Sequence, residues 1–269
     1  MEFSDLNRRG LVLLGCGKMG SALLAGWLSK GVNPDAVTVI DPAPSDWVKA
    51  QGVRIGTSAP SNPAALILAV KPQMMADALV QLPPIEGETL VLSIAAGTSI
   101  ATLEDILGEG TAIVRSMPNT PAAVGKGISA IVGNNTVTPE QVDLAEALLG
   151  AVGDTVRLQT EAQIDAVTGV SGSGPAYVFH LIEALADAGT AQGLSAPVAM
   201  KLAKATVIGA AALADNTDET PTQLRENVSS PGGTTLAALK VLMDPEHGFP
   251  QLLKDAVKAA ANRGRELGS

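Results

Sequence analysis

Cysteine is nearly absent from this chain, with Cys16 the single one among 269 residues. That excludes a disulfide within the chain and any cysteine-rich metal site, and it fits a reducing compartment, the cytoplasm. Basic charge is scarce as well. Lys and Arg number 18 against 27 Asp and Glu, a formal net charge of −9. Nucleic-acid binding rests on neutralising phosphates with Lys and Arg, so no nucleic-acid partner is expected. Long apolar runs are missing too. The N-terminal MEFSDLNRRG has no stretch resembling a secretory signal, and no segment reaches the roughly 18 uncharged apolar residues of a membrane span. The nearest, residues 198–214, carries Lys201 and Lys204. No membrane partner is therefore expected. The two histidines, His180 in a helical pattern and His247 in a Pro/Gly-rich turn, read as structural or surface groups. Neither metal-ligand spacing nor a Ser-His-Asp arrangement is visible, so no metal is expected.

What remains is an ordinary globular balance: 46% hydrophobic residues and 28 glycines without a collagen-like period. The first half alternates short apolar runs with helical patterns. The runs are LVLLG at 11–15, VTVID at 37–41, VRIG at 53–56, LILAV at 66–70, TLVLSI at 89–94, AIVRSM at 112–117 and ISAIVG at 128–133. Most are apolar throughout rather than alternating, the pattern of parallel strands covered on both faces. This predicts an α/β fold, a Rossmann-like doubly wound parallel sheet over residues 1–159. From about Thr160 the strands give way to Ala- and Leu-rich helical patterns, which predicts an all-helical second domain over 160–269. Its punctuation is clear: Pro175 near a helix start and Gly193 after its end, Ser195 and Pro197 opening the next, and Thr220-Pro221-Thr222-Gln223 as a capping box. The segment 196–214 is apolar on most of its faces, so it is expected to be buried, between subunits if not within the chain.

Gly15-Cys16-Gly17-Lys18-Met19-Gly20 reads G-x-G-x-x-G directly after a strand and at the mouth of a helix whose face carries Met19, Leu23, Gly26 and Trp27. In the dinucleotide fold the first glycine permits a tight turn, the second lets a pyrophosphate approach the backbone, and the third packs helix on strand. The other strand ends carry unusual residues. Asp41 ends the second strand about 20 residues after Gly20, where an acid can bind adenosine ribose hydroxyls. Ala69, Val70, Lys71 and Pro72 follow the fourth strand, Ala95, Ala96 and Gly97 the fifth, and Met117, Pro118, Asn119, Thr120 and Pro121 the sixth. Singly each has a plain reading: Lys71 a solvated charge, the alanines and glycine a turn, the prolines loop stiffeners. Their coincidence on one edge favours a ligand site. In the helical half, Ser229-Ser230-Pro231-Gly232-Gly233-Thr234-Thr235 joins two helices. Exposed amides and hydroxyls there suit a small carboxylate, while a helix-to-helix turn capped by Thr would read the same way. Residues 171–175, SGSGP, share that ambiguity.

With these segments assembled, the sequence resembles the pyrroline-5-carboxylate reductases over nearly its whole length. GCGKMG, AVKP, SIAAG, MPNTP, SGSGPAYVF and SSPGGTT occur in that family's order and spacing, and the last two are far more specific than a nucleotide fingerprint. The resemblance implies an oxidoreductase in which NADPH or NADH reduces the C=N carbon of 1-pyrroline-5-carboxylate to L-proline, the last step of proline biosynthesis. It implies cofactor contacts from Leu14, Gly15, Cys16, Gly17, Lys18, Met19, Gly20, Asp41 and Ala69–Pro72. It places Ala95, Ala96, Gly97, Met117, Pro118 and Asn119 near the nicotinamide end. Ser230, Gly232, Gly233, Thr234 and Thr235 would hold the substrate, with the Thr235 hydroxyl, the catalytic group, at the ring nitrogen. It also implies interlocked homodimers, stacked in the family into larger rings such as decamers, with SPGGTT supplied by the partner subunit. Two other classes stay open: a different reductase of this architecture, such as a β-hydroxyacid dehydrogenase or imine reductase, and a noncatalytic dinucleotide sensor. The loop after the second strand, Asp41 to Asp46, has no Arg or Lys before Lys49, which favours tolerance of NADH. Ser45, Lys49 or Arg54 could still supply a 2′-phosphate site, and Asp41 could serve only as a loop cap.

Overall fold

A computed structural model describes residues 3–56, 59–82 and 88–268. Its strands are β1 (Leu11–Leu14), β2 (Val37–Ile40), β3 (Arg54–Ile55), β4 (Ala65–Leu68), β5 (Leu90–Ser93), β6 (Ala112–Met117), β7 (Gly127–Gly133) and β8 (Gly153–Arg157). They form one sheet in the order β3-β2-β1-β4-β5-β6-β7-β8. The first six lie in the doubly wound order, with β1 pairing β2 and β4 in parallel, Leu11 opposite both Val37 and Ala65. Alternation explains the continuous apolar runs. Leu11 and Leu13 pack into a core on one face of the sheet, while Val12 and Leu14 pack into a second core on the other. β1 and β4 are buried along their whole length on both sides, which favours apolar residues at every position.

The sheet is not parallel throughout, as the apolar runs alone suggested. β7 runs antiparallel to β6, with Val114 opposite Gly133 and Met117 opposite Ala130. A parallel return needs a crossover of a dozen or more residues. Between Met117 and Gly127 there is only a 3₁₀ turn, Thr120–Val124, so the chain must reverse. β8, which stood outside the predicted runs, pairs parallel with β7 after the helix Pro139–Gly150. That helix opens with a reciprocal capping box between Thr138 and Gln141. The sequence GDTVR hides the strand because several of its residues face solvent at the sheet edge.

The helix Lys18–Ser29 encloses Leu23, Leu24 and Trp27 in the core. The Trp27 indole N–H donates to the Leu148 carbonyl at 2.7 Å. Gly26 is where the helix meets the segment after Pro139–Gly150. A Cβ there would lie 2.4 Å from Val152 Cγ1, so only glycine permits the approach.

By contacts, one compact unit comprises Met1–Gly172 and Ala260–Ser269, and the other Ser173–Ala259. The split thus falls after Gly172 rather than at 159–160. Ile164, in the helix Gln163–Val167, is buried in the sheet core, and Arg115 of β6 pairs with Glu161 at 2.6 Å, so 160–172 are tied to the sheet. The second unit is helical, with Gly174–Ala191, Ala196–Asp215, Pro221–Asn227 and Thr234–Leu242, and with Phe249–Gly268 as far as Ala259. Pro175 lies in the first turn of its helix, and the Thr220–Gln223 capping box is made in both directions. Gly189 lets Gly174–Ala191 approach Ala196–Asp215, since a Cβ there would sit 3.3 Å from Ala199 Cβ.

The helix Ala196–Asp215, whose apolar faces predicted burial between subunits, is open within the single chain. Within one chain it buries only Ala199 and Ala203, and Leu202 and Ile208 are 53% and 63% exposed. By length and composition, with mean hydropathy 1.4 despite its lysines, it also meets the requirement for a membrane span.

Candidate active site

The glycines of the first loop divide the work as the fingerprint requires. Gly15 takes φ +86°, and a Cβ there would lie 2.9 Å from the Ala69 carbonyl and 2.8 Å from Val70 Cγ1. A Cβ on Gly20 would lie 2.7 Å from the Gly15 carbonyl. These two residues are glycine for internal reasons. Gly17 has none, because a Cβ there would meet nothing within 4 Å and its φ of −70° is ordinary. The space above it is open. It lies where Gly17 caps the helix Lys18–Ser29 without any side-chain cap. The first helical amides have no partner within a helix, and they carry the positive end of its dipole. Open backbone beside unpaired amides fits a pyrophosphate.

Main-chain bonds hold the neighbouring strand ends in register. Gly15 N–H donates to the Ile40 carbonyl, and Ala69 N–H to that of Leu14. The Asp41 carboxylate accepts from Cys16 N–H at 2.7 Å and from Ala43 N–H at 2.8 Å. Burial pushes the Cys16 thiol above its usual range, partly offset by its contact with Ser21. Cys16 is thus a packing residue rather than a nucleophile. Lys71 is exposed ahead of the short turn Pro72–Met74. Ala95 is buried and donates its N–H to Ser93 Oγ at 3.3 Å. Gly97, at φ +81°, leaves room for the last helix: its Cβ would stand 3.0 Å from the Leu267 carbonyl.

Asn119 is buried with both ends of its amide engaged, the N donating to the Ser171 carbonyl at 3.1 Å and the O accepting from Ile128 N–H at 2.9 Å. It fixes the loop after β6. Met117 lies against Gly172, where a Cβ would come within 2.7 Å of its Cε. The first unit therefore brings the residues from Leu14 to Gly20, Asp41, Ala69–Pro72, Ala95–Gly97 and Met117–Asn119 to the carboxyl edge of β1, β2, β4, β5 and β6, where open α/β sheets bind ligands.

Sequence reasoning missed the Arg115–Glu161 pair. Glu161 accepts from Arg115 at 2.6 Å and from the Ile100 N–H at 2.8 Å. One carboxylate thereby joins the segment after Gly97 to the strand before Met117. The available signal was an arginine inside the apolar run AIVRSM, which a buried strand accommodates only with a partner.

In the second unit, Gly232 at φ +71° turns the chain, and Gly233 N–H donates to the Ser230 carbonyl at 3.0 Å. A Cβ on Gly233 would lie 2.5 Å from Ser230 Oγ, so a side chain there would have to displace that hydroxyl. Gly233 then caps the helix Thr234–Leu242, again with no side-chain cap. Ser230 and Thr234 are exposed and Thr235 half-buried. His180 and His247 are both on the surface, paired at most with Glu183 and Asp244.

A nucleotide-binding sheet with this loop, carried with a helical unit, defines a dinucleotide-dependent oxidoreductase. The family model described as pyrroline-5-carboxylate reductase dimerisation matches residues 161–267, and one described as NADP oxidoreductase, coenzyme F420-dependent, matches 10–97. A pyrroline-5-carboxylate reductase of Synechocystis sp. is 43% identical over 96% of this chain and 98% of its own. The solved pyrroline-5-carboxylate reductase of Coxiella burnetii superposes with a TM-score of 0.91 at 35% identity, covering 97% of this chain and 99% of that one. The Plasmodium falciparum pyrroline carboxylate reductase, solved with NADP bound, gives a TM-score of 0.83 at 29% identity, covering 98% and 99%. The chain belongs to the pyrroline-5-carboxylate reductase family.

Proposed function

We propose that the two glycine-rich loops divide one reduction between them, the first holding NAD(P)H and the second 1-pyrroline-5-carboxylate. The observation that carries this reading is the contrast among Gly15, Gly17 and Gly20: two are demanded by internal contacts and the third opens on free space beside unpaired helix amides. Leu14 to Gly20 and Ala69–Pro72 bind the dinucleotide backbone, with the Gly17 to Gly20 amides facing the pyrophosphate. Ala95–Gly97 and Met117–Asn119, braced by Glu161 and Asn119, orient the nicotinamide end. When bound, the cofactor supplies hydride to the imine carbon. The chain's own part is to position, to exclude water and to polarise the imine, which needs close, oriented reactants more than a strong acid or base.

Ser230, Gly232, Gly233 and Thr234 offer amides and hydroxyls to the substrate carboxylate at an uncapped helix start. Thr235 presents its hydroxyl to the ring nitrogen, which gains a proton as the carbon gains hydride. The product is the ring amine, L-proline. The assembly is a homodimer through the helical unit, extended into a ring of dimers, and its place is the cytoplasm, with neither membrane nor nucleic acid as partner. The dimerisation model over 161–267 and the exposed apolar side chains of Ala196–Asp215 support the dimer. The test is loss of cofactor absorbance with 1-pyrroline-5-carboxylate, run with NADH and NADPH in parallel. Cofactor binding without turnover would make the chain a sensor and overturn the reading.

A further inference from the structure

The carboxylate that ends β2 is held in place to an unusual degree. One Asp41 oxygen accepts from Cys16 N–H at 2.7 Å, inside the glycine-rich loop, and the other from Ala43 N–H at 2.8 Å. Half-buried, it cannot swing away without abandoning one of these bonds. It forms no ion pair with any described Lys or Arg. The groups that could build a phosphate site beside it are engaged or displaced. Ser45 Oγ caps its own helix by accepting from Val48 N–H at 3.3 Å, and Lys49 pairs with Asp46 at 3.1 Å. Arg54 stands opposite Thr38 in the register of β3 with β2, so it lies about 10 Å back along the strand from Asp41.

We infer that Asp41 is the specificity-determining residue of this chain's cofactor site, accepting hydrogen bonds from the adenosine ribose hydroxyls of NADH and repelling the 2′-phosphate of NADPH. The remaining lone pairs of its oxygens suit hydroxyl donors. A dianionic phosphate in the same place would meet a fixed negative charge that no described Lys or Arg pairs with. The inference rests on the first loop being the dinucleotide site, and it narrows that reading to one nucleotide.

The test is equilibrium binding by calorimetry on the full chain, without substrate, for NADH and NADPH separately. The wild type is expected to bind NADH at least tenfold more tightly, about 1.4 kcal/mol. Asp41→Asn, which keeps one acceptor and loses the charge, is expected to narrow the ratio to threefold or less, mainly by tighter NADPH binding. Arg54→Ala is expected to leave the ratio unchanged. NADPH binding as tight as NADH in the wild type overturns the inference, and so does a tenfold loss specific to NADPH in Arg54→Ala. Should Asp41→Asn not fold, the wild-type ratio and the Arg54→Ala ratio decide. Binding of neither nucleotide removes the dinucleotide site itself, a different failure from a reversed preference.

Discussion

In the first unit a side chain as large as Trp27 is fully enclosed, together with Leu11, Leu13, Leu23, Ile67, Leu90 and Leu92. In the second, the buried hydrophobic residues form a small cluster of Ala186, Ala199 and Ala203 with Ile182 against it. The difference lies in where apolar residues point rather than in how many there are. A sheet with helices over both faces closes two cores on itself. Helices rich in alanine with exposed Leu, Ile and Met along them leave theirs open, and large exposed apolar surfaces mark interfaces. The family model for dimerisation spans this region. One unit is thus closed by its own chain, and the other leaves apolar faces open for the proposed dimer to cover.

Breaking the assembly should have the largest effect. Leu202→Glu combined with Ile208→Glu places charges on the exposed face of Ala196–Asp215, and each should cost about 2 kcal/mol or more at a buried interface. Sedimentation should then show monomers with the helical unit loosened. A double variant that remains a dimer with unchanged melting breaks the comparison. Next is Trp27→Ala, expected to cost about 3–5 kcal/mol by denaturant unfolding, because it empties the largest enclosed side chain and strands the Leu148 carbonyl. A loss below 1 kcal/mol, on the order of a surface change, would mean the first core is not closed.

Thr235→Ala sharpens the comparison at the level of function. It should lower kcat/KM for 1-pyrroline-5-carboxylate ten- to a hundredfold, about 1.5–3 kcal/mol, while NAD(P)H affinity stays intact. An unchanged kcat/KM removes Thr235 from the site. The smallest effect is at the sheet edge. The Arg157 guanidinium beside Glu146 holds its carboxyl below the usual range. A depressed carboxylate contributes stability that is full above its unfolded value of about 4.3 and is lost as pH falls through the folded value. Glu146→Gln should therefore cost under about 1 kcal/mol at pH 7, and the difference from wild type should vanish on acidification. A difference that grows as pH falls contradicts that sign.

Much of the fold was legible where its signals are local. A Gly-x-Gly-x-x-Gly after an apolar run, the strand starts and the Thr220–Gln223 cap each depend on residues within one turn of each other. What stayed hidden depends on distance. The direction of β7 follows from how little chain separates it from β6, and β8 is obscured because its exposed residues break the apolar pattern. The Glu161 contacts join residues 46 and 61 positions apart, which no periodicity reveals. At Asp41 the sequence allowed either a ribose contact or a loop cap, and the two backbone bonds now show that its carboxylate is anchored between the loops. The exposure of Ala196–Asp215 could not be read from one chain's sequence, because its apolar faces say only that something covers them.

Both tryptophans, Trp27 and Trp47, sit in the first unit, while the second has the single tyrosine, Tyr177. Indole fluorescence is therefore deaf to half of this protein's structural events. Trp27, sealed from solvent, should emit at short wavelength, and Trp47, 42% exposed, at long wavelength. Their combined spectrum should shift when the nucleotide-binding sheet opens and stay still when the helices separate. Dissociation and loosening of the helical unit would register as falling ellipticity at constant emission colour, so the two halves can be watched in one cuvette by two kinds of light.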